Sequence, residues 1–151
     1  MRIRLAQFDS DYPALRDVRV TVFVEEQGVP IEIELDERDR HCIHVLASDA
    51  AGRPVGTGRI DLEAGGKIGR LAVLAAERGT GVGTALMARL HDIALGAALP
   101  SVWCNAQLSA VPFYQKLGYV VTSGPFFEAG IEHRRMQREI RPGDACEGAG
   151  R

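Results

Sequence analysis

The chain has 151 residues, of which 46% are hydrophobic and 25% charged, and a formal net charge of −2. That length suits one domain with a sizeable core, and the composition is that of an ordinary soluble globular chain. A pI near 6.1 offers nothing that favours nucleic acid. Cys42, Cys104 and Cys146 are odd in number and share no CxxC or other metal-ligand spacing. A zinc site and a disulfide framework are therefore not expected, and a reducing, cytoplasmic compartment fits best. No apolar run reaches the length of a signal peptide or a membrane span.

In chain order, IRLAQF alternates apolar and polar residues and predicts a short opening strand. Tyr12 to Val24 carries two periodicities. Leu15, Val18, Val22 and Phe23 form a helical stripe, whereas Val18, Val20, Val22 and Val24 alternate as in a strand. Capping chemistry at Asp9 or Ser10 favours the helix. The acid-rich stretch from Glu25 to Arg40 reads as a loop or short turns. CIHVLASD and PVGTGRIDLE predict two strands turned by AAGR, and GGKIGRLAVL a third, all antiparallel. A helix follows from Val82, with Leu86, Leu90 and Ile93 at helical spacing, ending near Gly96 and Pro100. SVWCNA predicts a strand reached through that helix and so parallel to the preceding one. SAVPFYQKLG reads as a short helix closed by Gly118, and YVVTS and IEHRRMQREI as final strands. The end, RPGDACEGAGR, lacks large apolar residues; one domain over 1–141 and a disordered tail over 142–151 are expected.

The stretch RGTGVG, Arg78 to Gly83, concentrates glycine at a helix start, where each glycine costs stability. A strand, a glycine turn and a helix together make an anion site, because orphan amides converge there and the helix dipole adds favourable charge. Gly83 is followed by Thr84 and Ala85 rather than Lys-Ser/Thr, so a nucleotide P-loop is excluded. The glycine spacing is one residue short of a dinucleotide fingerprint, and Ser101 stands near the position of its acid. Glycines that merely allow close packing of helix on strand remain the competing reading.

LAVLAAERGTGVGTALM resembles the acetyl-coenzyme A signature of the GCN5-related N-acetyltransferases (GNATs), and AVPFYQKLGYV resembles their second motif. VFVEEQGVP, Asp36, His44, NAQ and FFEAGIEHRRM are similar to the ElaA-like acyltransferase branch. The resemblance covers nearly the whole folded chain. It implies an α/β (α+β) GNAT fold, with a mixed central sheet of antiparallel N-terminal strands and a splayed parallel pair, flanked by helices. It also implies an acyltransferase that uses acetyl-coenzyme A and no metal. Coenzyme A would enter between strands near Leu71 to Leu74 and Val102 to Ala106. Its pantetheine arm would pair with main-chain groups of Leu71, Ala72 and Val73. Its pyrophosphate would rest on Gly79, Thr80, Gly81, Val82, Gly83 and Thr84, with Arg78 alongside.

The implied reaction is direct attack by an amine on the thioester. The backbone N–H of Leu71 would stabilise the oxyanion, and Tyr114, which also borders the cofactor, would protonate the leaving thiolate. Tyr114 can equally be an ordinary buried tyrosine. The general base is open between Glu25, Glu26, Glu128, His133 and a relayed water, with Glu26 and His133 carried forward. The expected acceptor site contains Glu25, Glu26, Arg59, Arg70, Glu128 and His133. Arg59 and Arg70 on neighbouring strands either bind an acceptor carboxylate or pair with Glu25, Glu26 or Asp36, the second being favoured. His44 reads as a satisfied strand histidine and Cys104 as apolar filler; a cap role is open for Gln107. Lys67 and Gly69 stand where the otherwise similar arylalkylamine acetyltransferases carry two histidines, so that substrate does not carry over. The expected partner is a small-molecule amine or a peptide-like acceptor, with no nucleic acid and no membrane, and a homodimer is allowed. A non-catalytic acyl-coenzyme A sensing domain and a protein acetyltransferase are the alternatives.

Overall fold

In the computed structural model, which describes residues 1–141, the first strand is shorter than IRLAQF suggests: β1 spans Arg2–Leu5. Arg4 projects from it and binds the Asp11 carboxylate at 2.7 and 2.8 Å, and Asp11 also accepts the Gln7 N–H at 2.7 Å. These bonds, that from Arg4 foremost, hold the Asp11 carboxyl down at about 2. They also move the helix start. Helix α1 covers Phe8–Arg19 with Gln7 at the N-cap, not Asp9 or Ser10. The helical reading of the next residues holds, but Val20–Glu26 continues in π-helical form. The expected loop is a set of short turns, α2 (Ile31–Glu34) and a 3₁₀ turn over Glu37–His41.

Strands β2 (Ile43–Ser48), β3 (Pro54–Asp61) and β4 (Lys67–Val73) follow as an antiparallel meander. Helix α3 (Val82–Gly96) crosses to β5 (Ser101–Gln107), then come α4 (Val111–Lys116), β6 (Val120–Val121), β7 (Phe126–Glu128) and β8 (Ile131–Glu139). The sheet order is β1-β2-β3-β4-β5-β8-β6, with β7 also on β8. Strand β6 is shorter than YVVTS implies. The strand β7 was not foreseen, since Pro125 and the short FFE segment leave little alternation to read. The sequence expectation for the tail, 142–151, lies outside the described residues.

Consecutive β4 residues face opposite layers, as a strand requires. Ala72 packs with Val18 and Val22 of the first helical segment, while Val73 packs against the main core under α3. Leu86 and Leu90 are fully buried in that core; truncating either to Ala would cost about 2–5 kcal/mol.

Two irregularities in β4 make room for a site. Thr57 faces Ala72 but Arg59 faces Gly69, so two steps on β3 span three on β4. This bulge carries Arg70 at φ 51°, a left-handed conformation that a non-glycine side chain rarely adopts. The parallel register between β4 and β5 is confined to Lys67↔Trp103 and Ile68↔Cys104. Beyond those residues the strands separate.

Candidate active site

The gap between β4 and β5 opens into a cleft of about 760 Å³. Gly69 to Val73 line one side, and Asn105 to Gln107 with Tyr114 line the other. The π-helical segment and its exit contribute Val22, Phe23 and Gln27, and the β7–β8 hairpin contributes Glu128 and His133. The expected opening near Leu71 and Ala106 is therefore present, although its closed end at Cys104 lies inside the stretch expected to splay.

The glycine turn separates into two roles. Gly79 and Gly81 have φ of 79° and 91°, and a Cβ at either would meet nothing within 4 Å. Backbone conformation, not crowding, demands glycine there. Gly83 is different: its φ is not left-handed, and a Cβ there would touch the Phe113 ring at 3.4 Å, which places Phe113 of α4 against the first turn of α3. Gly81 is the N-cap of α3 and offers no side chain to the first-turn amides. Thr80 turns its hydroxyl to the Glu77 carbonyl. Arg78 donates to Glu26 at 2.8 Å and to the Val73 carbonyl at 2.9 Å, which ties β4 to the end of the π-helical segment.

Tyr114 is 7% exposed and borders the cleft. Burial, reinforced by neighbouring Cys104, pushes its phenol well above the ordinary range, so it keeps its proton. Cys104 is 2% exposed, and burial raises its thiol to about 12, which leaves it protonated and poorly nucleophilic.

Across the opening, His133 Nδ1 lies 2.7 Å from the Ile131 carbonyl oxygen. A carbonyl only accepts, so Nδ1 carries a proton, and of the two neutral tautomers this contact selects the one with its unshared pair on Nε2. Glu128 Oε2 stands 3.9 Å from that nitrogen, and Glu128 Oε1 accepts from Asn105 Nδ2 at 2.9 Å. Glu26, the other candidate base, is bound to Arg78; neither it nor Glu25 lines the cleft.

Arg59 and Arg70 do pair, but Glu25 and Glu26 are not their partners. Arg59 binds Asp36 at 2.8 and 2.9 Å and Asp39 at 2.6 Å, and Arg70 reaches Asp36 at 3.1 Å. Arg19 completes the cluster, buried between Glu34 at 2.7 Å and Asp39 at 2.8 Å. Burial alone would raise the Asp36 carboxyl; the bonds from Arg59 and the charges of Arg70 and Arg19 reverse this and hold it at about 2. Nothing in the spacing of Arg19, Glu34 and Asp39 announces the cluster, because it joins the end of α1 to two separate turns. His44 is buried, as a satisfied strand histidine should be, with Nε2 donating to the Asp39 carbonyl at 2.8 Å. Gln107 does not cap with its side chain; it donates instead to Gln27 across the cleft at 2.6 Å. Among the described residues no cluster of His, Cys, Asp or Glu can hold a metal.

The family described as Acetyltransferase (GNAT) domain matches residues 13–140. The uncharacterized N-acetyltransferase YjcF of Bacillus subtilis is 41% identical over 124 residues, covering 81% of this chain and 88% of YjcF. The crystal structure of Escherichia coli ElaA superposes with a TM-score of 0.82 at 28% identity, covering 92% of this chain and all of that one. An aminoglycoside 6′-N-acetyltransferase complexed with coenzyme A shares the fold at a TM-score of 0.70 and 18% identity, covering 94% of this chain and 98% of that one. With the splayed mixed sheet already described, these matches make the chain a member of the GNAT family and an acyl-coenzyme A-dependent N-acyltransferase.

Proposed function

We propose that the chain transfers an acetyl group from acetyl-coenzyme A to the primary amine of a small-molecule or peptide-like acceptor. The observation that carries this reading is the pair lining the cleft: a buried, proton-retaining Tyr114 and a His133 whose Nδ1 is committed to the Ile131 carbonyl, with the Glu128 carboxylate 3.9 Å from Nε2. His133 Nε2 takes a proton from the acceptor ammonium, and the amine then attacks the thioester carbonyl. The Leu71 N–H, beside the bulge at Arg70, donates to the oxygen as negative charge develops on it. Tyr114 Oη gives its proton to the departing sulfur, and the extra proton left on the newly acylated nitrogen passes through solvent to the Tyr114 phenolate, which restores the phenol. His133 is preferred to Glu26 as base because Glu26 is already bound to Arg78 outside the cleft lining.

The donor reading follows from chemistry at the start of α3. Its orphan amides, from Gly79 to Thr84, and the positive end of the helix suit a pyrophosphate. Arg78 adds charge there by sharing its bond to Glu26. Ala72 and Val73, with Leu71, border the gap where a pantetheine arm would lie. The free, buried thiols of Cys42 and Cys104 fit a cytoplasmic setting; among the described residues no helix is long and apolar enough to cross a membrane.

The test is thiol release from acetyl-coenzyme A against a panel of amines, amino acids and peptides. Acetylation of a small amine or peptide is the expected result. Tight coenzyme A binding with no thiol release from any acceptor would overturn the reading.

A further inference from the structure

One face of the sheet beside the cleft carries an unusual group of charges. Trp103 fixes its ring edge through Nε1–H donation to the Ala64 carbonyl at 2.9 Å. The Arg135 guanidinium carbon lies 3.8 Å from the ring centroid, and the Lys67 ammonium lies 5.2 Å from it. Two cations thus share one aromatic ring, although like charges at such range repel. Neither has a carboxylate within ion-pair distance among the described residues. Arg135 is exposed, and a guanidinium held over a ring through its central carbon keeps N–H groups for a planar carboxylate.

The group is continuous with the cleft. Lys67 lines it, and the register on this face runs from Trp103 to Asn105, which faces Arg135, and to Gln107, which faces His133. Glu128, bonded to Asn105, stands at the His133 end. One end of the track is therefore built for an ammonium group and the other for an anion. Strand rise separates Trp103 from Asn105 by about 7 Å and from the Gln107 level by about 13 Å.

We propose that Lys67, Trp103 and Arg135 bind the carboxylate of the acceptor, which is an amine bearing that carboxylate about 7–13 Å from its reacting nitrogen. This rests on the acetyltransferase reading, with the amine delivered to His133. Trp103 is the one tryptophan of the chain, so its fluorescence reports on the platform without any turnover.

The experiment titrates the protein with ω-amino carboxylates of increasing length, using the matching ω-amino methyl amides as neutral controls. Expected are a saturable fluorescence change with the carboxylates, roughly tenfold weaker with the amides, and weakening with salt. In the acetylation assay, kcat/KM should favour the carboxylates by about tenfold at an intermediate length, a ratio that falls to near one in Lys67→Met/Arg135→Met. Arg135→Glu should reverse the preference. Equal affinities for acid and amide, or a preference that survives the double substitution, would overturn the inference. Charge-dependent fluorescence without turnover of any amine would sink the enzyme reading and leave the anion site standing. Turnover without charge preference would do the opposite.

Discussion

His133 Nδ1 and the Ile131 carbonyl oxygen, 2.7 Å apart, settle which nitrogen of that ring is left to accept a proton. The contact is local, two residues along β8, so it survives most changes elsewhere in the cleft. Replacing His133 by Gln is expected to lower kcat by about 10²–10⁴-fold, the usual worth of a positioned base. Steady-state kinetics beside a coenzyme A titration check this. A loss confined to coenzyme A affinity would remove His133 from the base role.

Tyr114→Phe keeps the ring in its contacts with Phe113 and Tyr119 and removes only the hydroxyl. The expected loss in kcat is about 10²-fold. A donor thioester whose thiol is more acidic needs less help in leaving, so it should recover much of that loss. If such a donor leaves the defect unchanged, Tyr114 is not the acid.

The charge cluster of Glu34, Asp36, Arg59 and Arg70 lines the cleft and should govern acid stability. Asp36 has a folded value near 2 against an ordinary 3.8. Its contribution is therefore complete above about pH 4 and is lost as pH falls through the folded value. Thermal melts from pH 5 to 2 should fall more steeply for the native chain than for Asp36→Asn. Parallel slopes would show that the carboxylate is not held down.

Arg19 is 1% exposed and holds two carboxylates. Arg19→Met takes one guanidinium from two buried carboxylates and leaves Asp39 to Arg59 at 2.6 Å and Glu34 to Arg70 at 3.4 Å, at a cost of up to about 3–5 kcal/mol. The melting temperature should drop by roughly 10 °C on that basis. A shift of only a degree or two would mean that Arg59 and Arg70 suffice to hold Asp39 and Glu34 without Arg19.

At Gly81, Asp and Asn both tolerate a left-handed backbone better than other side chains do, and they differ in charge. Comparing Gly81→Asp with Gly81→Asn separates strain from repulsion. Coenzyme A should bind Gly81→Asp at least about tenfold more weakly than Gly81→Asn, as isothermal calorimetry would report. Equal affinities would move the pyrophosphate away from this turn.

Periodicity carried most of the architecture. Leu86, Leu90 and Ile93 mark α3 because burial on one face repeats with the helical period, whereas CIHVLASD marks β2 as a short, largely apolar run that is buried on both faces from His44 to Ala47. The start of α1 escaped because Arg4, not local capping, places Asp11 on the Gln7 amide. The π-helical continuation has no periodic signature of its own across seven residues. At the site, RGTGVG and Tyr114 were readable as motifs. The partners of Arg59 and Arg70 were only half readable, since Asp36 was named but Asp39 and Glu34 approach from other turns. The bond of Glu26 to Arg78 spans 52 positions and leaves no mark on either neighbourhood.

The seam between β4 and β5 holds by two register pairs, whereas β5 and β8 align over seven. The sheet is thus two cooperative plates, β1–β4 and β5 with β6–β8, joined along a short weld and backed by the helix that connects them. Amide exchange should divide along that line, with the cleft-side amides of 69–73 and 105–107 the least protected in their strands. A ligand lying in the gap takes the place of the missing interstrand bonds. Its footprint would appear as slowed exchange on both plates at once, even where it touches only one.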